Sequence, residues 1–237
     1  MQLSNFTYLA LLVLTISYPI IKTREEKLQF YKKLRYIIPA IIITAIPFLI
    51  WDVIFESHHI WSFSPEHTMG INVLGLPLEE WLFFFIIPYA CFFIYETLKY
   101  FTGQSRWCCM RYIAIIVAII LLIISILANN LSYTFVSFLL ASLILFIIAW
   151  RKQIANHLTN FFKRYLVSLM PFFLVNGVLT KMPVVLYNNQ ENLSLRIYSI
   201  PIEDMVYLLS LLFINFALYE IFRQYDAKRQ AEAENGN

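Results

Sequence analysis

Two ten-residue segments carry the residues best suited to chemistry. The segment GLPLEEWLFF (75–84) holds Glu79 and Glu80, and SIPIEDMVYL (199–208) holds Glu203 and Asp204. Paired carboxyls suit proton transfer, because one can hold and donate a proton while another accepts one. Apolar residues flank both pairs, Leu74 and Leu76 in the first copy, Ile197 and Ile200 in the second. A carboxyl that is partly desolvated and crowded by like charges keeps its proton near neutral pH and can act as an acid. One such motif alone would read as acids set against the positive end of a helix dipole, with Pro77 or Pro201 in the first turn. A second copy, with two acids where a cap needs one, points instead to function, as acids in membrane helices usually do. Asp52 adds a further acid, and its counterpart in the second copy is Asn176.

The elements that must position these groups are membrane helices. Of 237 residues, 60% are hydrophobic and only 14% charged, and mean hydropathy is +0.66, far from the composition of a soluble domain. Apolar runs of about 20 residues, the length of a bilayer-crossing helix, predict seven spans at 3–21, 35–55, 76–98, 112–128, 131–150, 164–181 and 200–222. The N-terminal segment has no basic region or small-residue cleavage site and reads as the first span, not a leader. The residues after 222 read as a short, frayed polar tail. Of the 18 Lys and Arg, only Lys181 and Arg196 fall in the second, fourth or sixth loop. That bias predicts a multi-pass protein of the cell membrane with its N-terminus outside and its C-terminus in the cytoplasm.

An internal repeat organises the spans. At an offset of 124 residues, Pro47, Pro77, Glu79, Tyr95 and Glu96 recur as Pro171, Pro201, Glu203, Tyr219 and Glu220. The plan is a three-helix repeat (1–98), a linker helix (99–130), a second three-helix repeat (131–222) and the tail (223–237). Four spans separate equivalent helices, so the two repeats run parallel. The fold class is therefore all-α integral membrane, and parallel repeats can bring both acid pairs to one central cavity.

Other signals are weaker. Phe83 and Phe84 lie one turn below Glu79 and Glu80, and Tyr207 one turn below Glu203; such rings could stabilise a cation or simply face lipid. His58, His59, Glu66 and His67 match no standard metal spacing. Cys91, Cys108 and Cys109 have no ligand spacing and read as packing and loop residues. Tyr95–Glu96 and Tyr219–Glu220 sit at the far membrane face, as interface anchors or partners for nearby Lys and Arg. There is no GxGxxG or Walker A segment, and nothing suggests nucleic acid. A small transporter of three-plus-one-plus-three helices shares the plan, but its Gly or Pro breaks belong near mid-bilayer. A retinal Schiff base would need a Lys in 200–222, and there is none. Asp-rich prenyltransferase motifs are likewise missing.

The segments WDVIF, IWSFSPEHTMGI and GLPLEEWLFF resemble the first half of the membrane lycopene cyclases, and LTKMPVVLYNNQENLSLRIYSIPIEDMVYLLSLLFINFALYE resembles the second half. The resemblance covers nearly the whole chain and is to the fused, single-chain form. It implies redox-neutral, acid-catalysed closure of the ψ end groups of lycopene to β rings, giving γ-carotene and then β-carotene, with no cofactor or metal; within the family, another carotenoid or terpenoid substrate and an ε or γ ring product stay open as alternatives. It also implies a lipid-dissolved carotenoid partner, with other carotenoid enzymes as further candidates. Its functional acids fall on Glu79, Glu80, Glu203 and Asp204. Asp52, Trp61, Asn188 and Arg196 match recurring positions without an assigned role, and Phe83 and Tyr207 join them as pocket candidates. Arg196, beside the second pair only, suggests that the first pair is the acid and the second the base.

Overall fold

The structure, a computed structural model, describes residues 3–103 and 105–235. A 3-10 turn, Leu3–Phe6, leads into α1 (Thr7–Lys22), α2 (Phe30–Ser57), α3 (Leu78–Thr102), α4 (Met110–Leu127) and α5 (Ser132–Trp150). A four-residue α6 (Lys152–Ala155), α7 (Leu158–Lys181) and α8 (Ile202–Asn235) follow. Seven of these are long and apolar enough to cross a membrane, so the chain is an all-α, multi-pass membrane protein.

Two expectations are corrected. Helix α8 continues to Asn235 rather than fraying after 222; residues 236–237 of the expected tail lie outside the described residues. The segment DAKRQAEAE is built of good helix formers, so the polar stretch extends the helix beyond its apolar part. Ahead of α3 and α8 the loops are structured. Each carries short strands: β1 (Trp61–Phe63), β2 (Asn72–Val73) and β3 (Leu76–Pro77) in the first, β4 (Val185–Tyr187), β5 (Arg196–Ile197) and β6 (Ile200–Pro201) in the second. Finally, Pro77 and Pro201 stand just before their helices, not in the first turn. Pro77 is extended (φ −60°, ψ 147°) and ends β3.

The repeat is visible in individual bonds. Leu78 N–H donates to Ile71 O at 2.8 Å, and Ile202 N–H donates to Leu195 O at 3.1 Å. The hairpin β2–β3 turns through Leu74 and Gly75, both with positive φ (53° and 90°), the type I′ geometry that matches strand twist. A Cβ on Gly75 would meet Glu56 Oε2 at 3.0 Å, so glycine serves both conformation and space. Strands β1 and β4 pair antiparallel across the repeats, with Trp61 opposite Tyr187 and Phe63 opposite Val185. That register maps onto itself under the 124-residue shift, so the ladder straddles the pseudo-two-fold axis.

At the opposite end of the helices the repeats exchange a second pair of bonds. Tyr95 donates to Glu220 and Tyr219 to Glu96, both at 2.7 Å. Lys33 and Lys99 bridge to Glu96, and Lys99 and Arg223 to Glu220. Arg164 donates to the Tyr95 carbonyl. These residues do pair with nearby cations, as expected, but they lie buried between the repeats rather than at the lipid interface. The linker helix α4 packs on α5 through small residues, with Ser142 donating to Ala118 O at 2.8 Å.

Candidate active site

Each acid pair begins a helix, and adjacent helical residues point about 100° apart. The two carboxyls of a pair therefore have different surroundings. Glu79 Oε1 turns back to its own loop and accepts from Met69 N–H at 2.7 Å. Glu203 Oε1 does the same with Leu193 N–H at 2.8 Å and also accepts from Thr134 Oγ1 at 2.7 Å. Both side chains are wholly buried. Glu80 and Asp204 point instead into a small cavity of about 60 Å³, which Asp52 also lines.

That cavity is a ring of acids and aromatic rings at the head of the helix bundle. Trp61 and Phe63 from β1, Val185 and Tyr187 from β4, Phe83 from α3 and Tyr207 from α8 share its wall. The cross-repeat ladder forms its lid. Glu80 Oε2 accepts from Tyr8 Oη at 2.6 Å, and the Glu80 and Asp52 carboxyls line the same small cavity. Asp52 Oδ1 accepts from Tyr207 Oη at 2.8 Å. Asp204 is held by three donors: Tyr133 Oη at 2.6 Å on Oδ1, and Tyr187 Oη at 2.7 Å and Asn176 Nδ2 at 2.6 Å on Oδ2. Burial first, and then the Asp204 charge, push the Tyr187 phenol well above its ordinary value, so it stays a donor.

The structure thus brings together Asp52, Glu80, Asp204, Trp61, Phe83 and Tyr207. It leaves Glu79 and Glu203 one step back, clasping the loops. Asn188 and Arg196 do not line the cavity. Asn188 N–H donates to Ile60 O at 3.0 Å, stitching the two loops together. Arg196 is exposed, donating to Ser199 O and Asn189 Oδ1, and reaches the site only through the Tyr187 ring, 5.8 Å from its guanidinium carbon. His58 Nδ1 lies 2.8 Å from Ile54 O, closing the end of α2.

Four polar groups of the site escape a reading of the acids alone: Tyr8, Tyr133, Tyr187 and Asn176 as a ligand of Asp204. A signal for two of them exists in the sequence. Tyr8 and Tyr133 occupy equivalent places, but 125 residues apart, so a rigid 124-residue shift sets Tyr8 against Ser132 and hides the match.

Comparisons with known proteins place the chain in a family. The lycopene cyclase family profile matches residues 5–98 and 130–222, both repeats and not the linker helix. The chain is also 34% identical, over 92 residues, to the bifunctional lycopene cyclase/phytoene synthase of Neurospora crassa. That match spans 38% of this chain and 14% of the fungal protein. No solved structure matches the chain. With a family profile that covers most of its length and falls on the two halves that build the acid cavity, the chain belongs to the lycopene cyclase family.

Proposed function

We propose that the chain is a carotenoid cyclase that closes the ψ end groups of lycopene to β rings at a single site built from both repeats. The observation that carries this reading is the cavity itself: Asp52 and Glu80 from one repeat face Asp204 from the other, within aromatic walls. Two carboxyls crowded into one small buried cavity cannot both ionise cheaply, so one of them keeps its proton, and the Asp52–Glu80 pair is the proton donor. An acceptor-only carboxylate suits the three donors around Asp204, so Asp204 is the base.

In this scheme the donor pair protonates the terminal C=C, leaving a tertiary cation. The next double bond along the chain attacks it, forming the ring C–C bond and moving the charge onto a ring carbon. Asp204 then takes a ring proton, and its electron pair becomes the new ring double bond. One proton is added and one removed, so no oxidant or reductant takes part. The proton passes back to the donor pair across the same cavity for the next turnover. Trp61, Phe83 and Tyr207 offer ring faces to the cation without a nucleophile to trap it, and the small, largely aromatic cavity limits the room for water beside it. Glu79 and Glu203 position the loops and the lid rather than transferring protons.

The distribution of Lys and Arg supports a cell-membrane location with the acid cavity at the outer face and the α8 end in the cytoplasm. Membrane lipid is then the reservoir of substrate, and other carotenoid enzymes are the candidate partners. Expression in a lycopene-accumulating bacterial host, followed by chromatography of the pigments, tests the proposal. We expect β-carotene with transient γ-carotene. Unchanged lycopene, with the protein inserted, would refute it.

A further inference from the structure

A second cavity, of about 720 Å³, runs along the groove between α1, α3 and α7. Its wall is almost wholly apolar, and Leu14, Tyr18 and Leu174 along it are exposed on the lipid side. On α3 it extends from Phe83 to Leu98, about 22 Å at helical rise, most of one bilayer crossing. Three residues, Phe83, Phe172 and Asn176, line both this groove and the acid cavity. The groove therefore meets the chemistry at one end and lipid along its flank.

The pseudo-symmetry predicts a second groove on the other side of the molecule, between α5, α8 and α2. The sequence has filled it. The counterparts of Thr15, Ala90 and Val175 are Leu140, Ile214 and Trp51, and these three larger side chains pack together against the cluster of Phe48, Phe84 and Leu211. The doorway is closed as well. The counterparts of Phe83 and Asn176 are Tyr207 and Asp52, which are tied by the 2.8 Å hydrogen bond. Phe48, the counterpart of Phe172, is buried and packs edge-on to Tyr207 at 5.1 Å. Phe83 has no hydroxyl with which to make the equivalent tie.

We propose that the groove between α1, α3 and α7 holds the unreacted length of the polyene, and that the gap framed by Phe83, Phe172 and Asn176 is the one doorway through which an end group reaches the acids. This rests on the cyclase reading above. Because the mirror-related groove is plugged, both ends of a substrate use the same doorway in turn, with a half-cyclised product leaving the groove and turning between the two closures.

The test transplants the plug. Thr15→Leu, Ala90→Ile and Val175→Trp, singly and combined, place in the open groove the residues that the other side already accommodates. Leu143→Tyr, at the exposed position equivalent to Tyr18, is the control. We expect the combined variant to insert and unfold like the wild type in detergent while lycopene turnover falls at least about tenfold, with the control unchanged. Polyene binding is read separately, as induced circular dichroism of lycopene added to Glu80→Gln protein; the plug should abolish it. Plugged protein with wild-type turnover would overturn the proposal, as would a binding signal that survives the plug. Plugging that displaces only co-purified lipid and leaves turnover intact would overturn it too. If the plugged variant fails to fold, Ala90→Ile alone in the binding measurement decides. A wild-type chain that binds lycopene but leaves it unchanged would sink the cyclase reading, and the binding signal would still judge the groove.

Discussion

Replacing Glu80 by glutamine separates proton transfer from architecture. The amide still accepts from Tyr8 Oη, which holds the side chain at 2.6 Å, so the fold keeps its bond while the cavity loses an acid. Removing a positioned general acid typically costs 10²–10⁴-fold in rate, roughly 3–5 kcal/mol of barrier. Glu79→Gln, one residue away, should behave differently. Its side chain accepts from Met69 N–H at 2.7 Å and leaves Oε2 buried without a partner. Glutamine keeps one acceptor but places an NH₂ in that unpartnered position, a cost of about 1–3 kcal/mol in stability. Turnover of purified protein with lycopene, alongside unfolding midpoints in detergent, distinguishes the two. We expect Glu80→Gln to be folded and nearly inactive. Glu79→Gln should be less stable and within about tenfold of wild-type rate when folded. Equal loss of turnover in both, with undiminished stability, would refute the division of each pair into a loop clasp and a reacting group.

Product patterns test the shared cavity: Glu80→Gln and Asp204→Asn should each leave mainly lycopene, because both closures need acid and base together. Clean accumulation of γ-carotene from variants in both halves would instead mean one independent site per repeat. Tyr207→Phe removes the 2.8 Å bond to Asp52 and should lower turnover with little change in folding, measured as kcat against KM. At the far end, Tyr95→Phe and Tyr219→Phe should each cost about 1–3 kcal/mol of stability, since each leaves a buried glutamate short of a donor; cyclase activity of the folded fraction should stay near wild type. Reporter fusions after Asn189 and after Arg229 should show the outer face and the cytoplasm respectively, and a cytoplasmic signal from the first would overturn the proposed orientation.

The span count, the repeat and the acid motifs are legible in the amino-acid order alone, because each is a local property. Runs of apolar residues of bilayer length form helices wherever they are placed, and two copies of Pro-x-Glu-acid at a constant offset survive any packing. The same offset makes Asp52 and Asn176 equivalent. Which acid of each pair faces the cavity, and which its own loop, is settled by packing alone. Glu79 and Glu80 are neighbours of nearly identical chemistry, and their difference arises from the loop that folds back over one and the cavity that opens beside the other. The same holds for Tyr8, Tyr133 and Tyr187, which come from α1, α5 and β4 and have no relation to the acids along the chain. Arg196 shows the converse: next to the second pair in sequence, it is turned outward by the β5–β6 hairpin and faces solvent-side carbonyls. Whether the symmetry holds or breaks was likewise a matter of packing. Leu140, Ile214 and Trp51 on one side, with Thr15, Ala90 and Val175 on the other, are scattered substitutions along the chain that become a plug and a groove only when three helices meet.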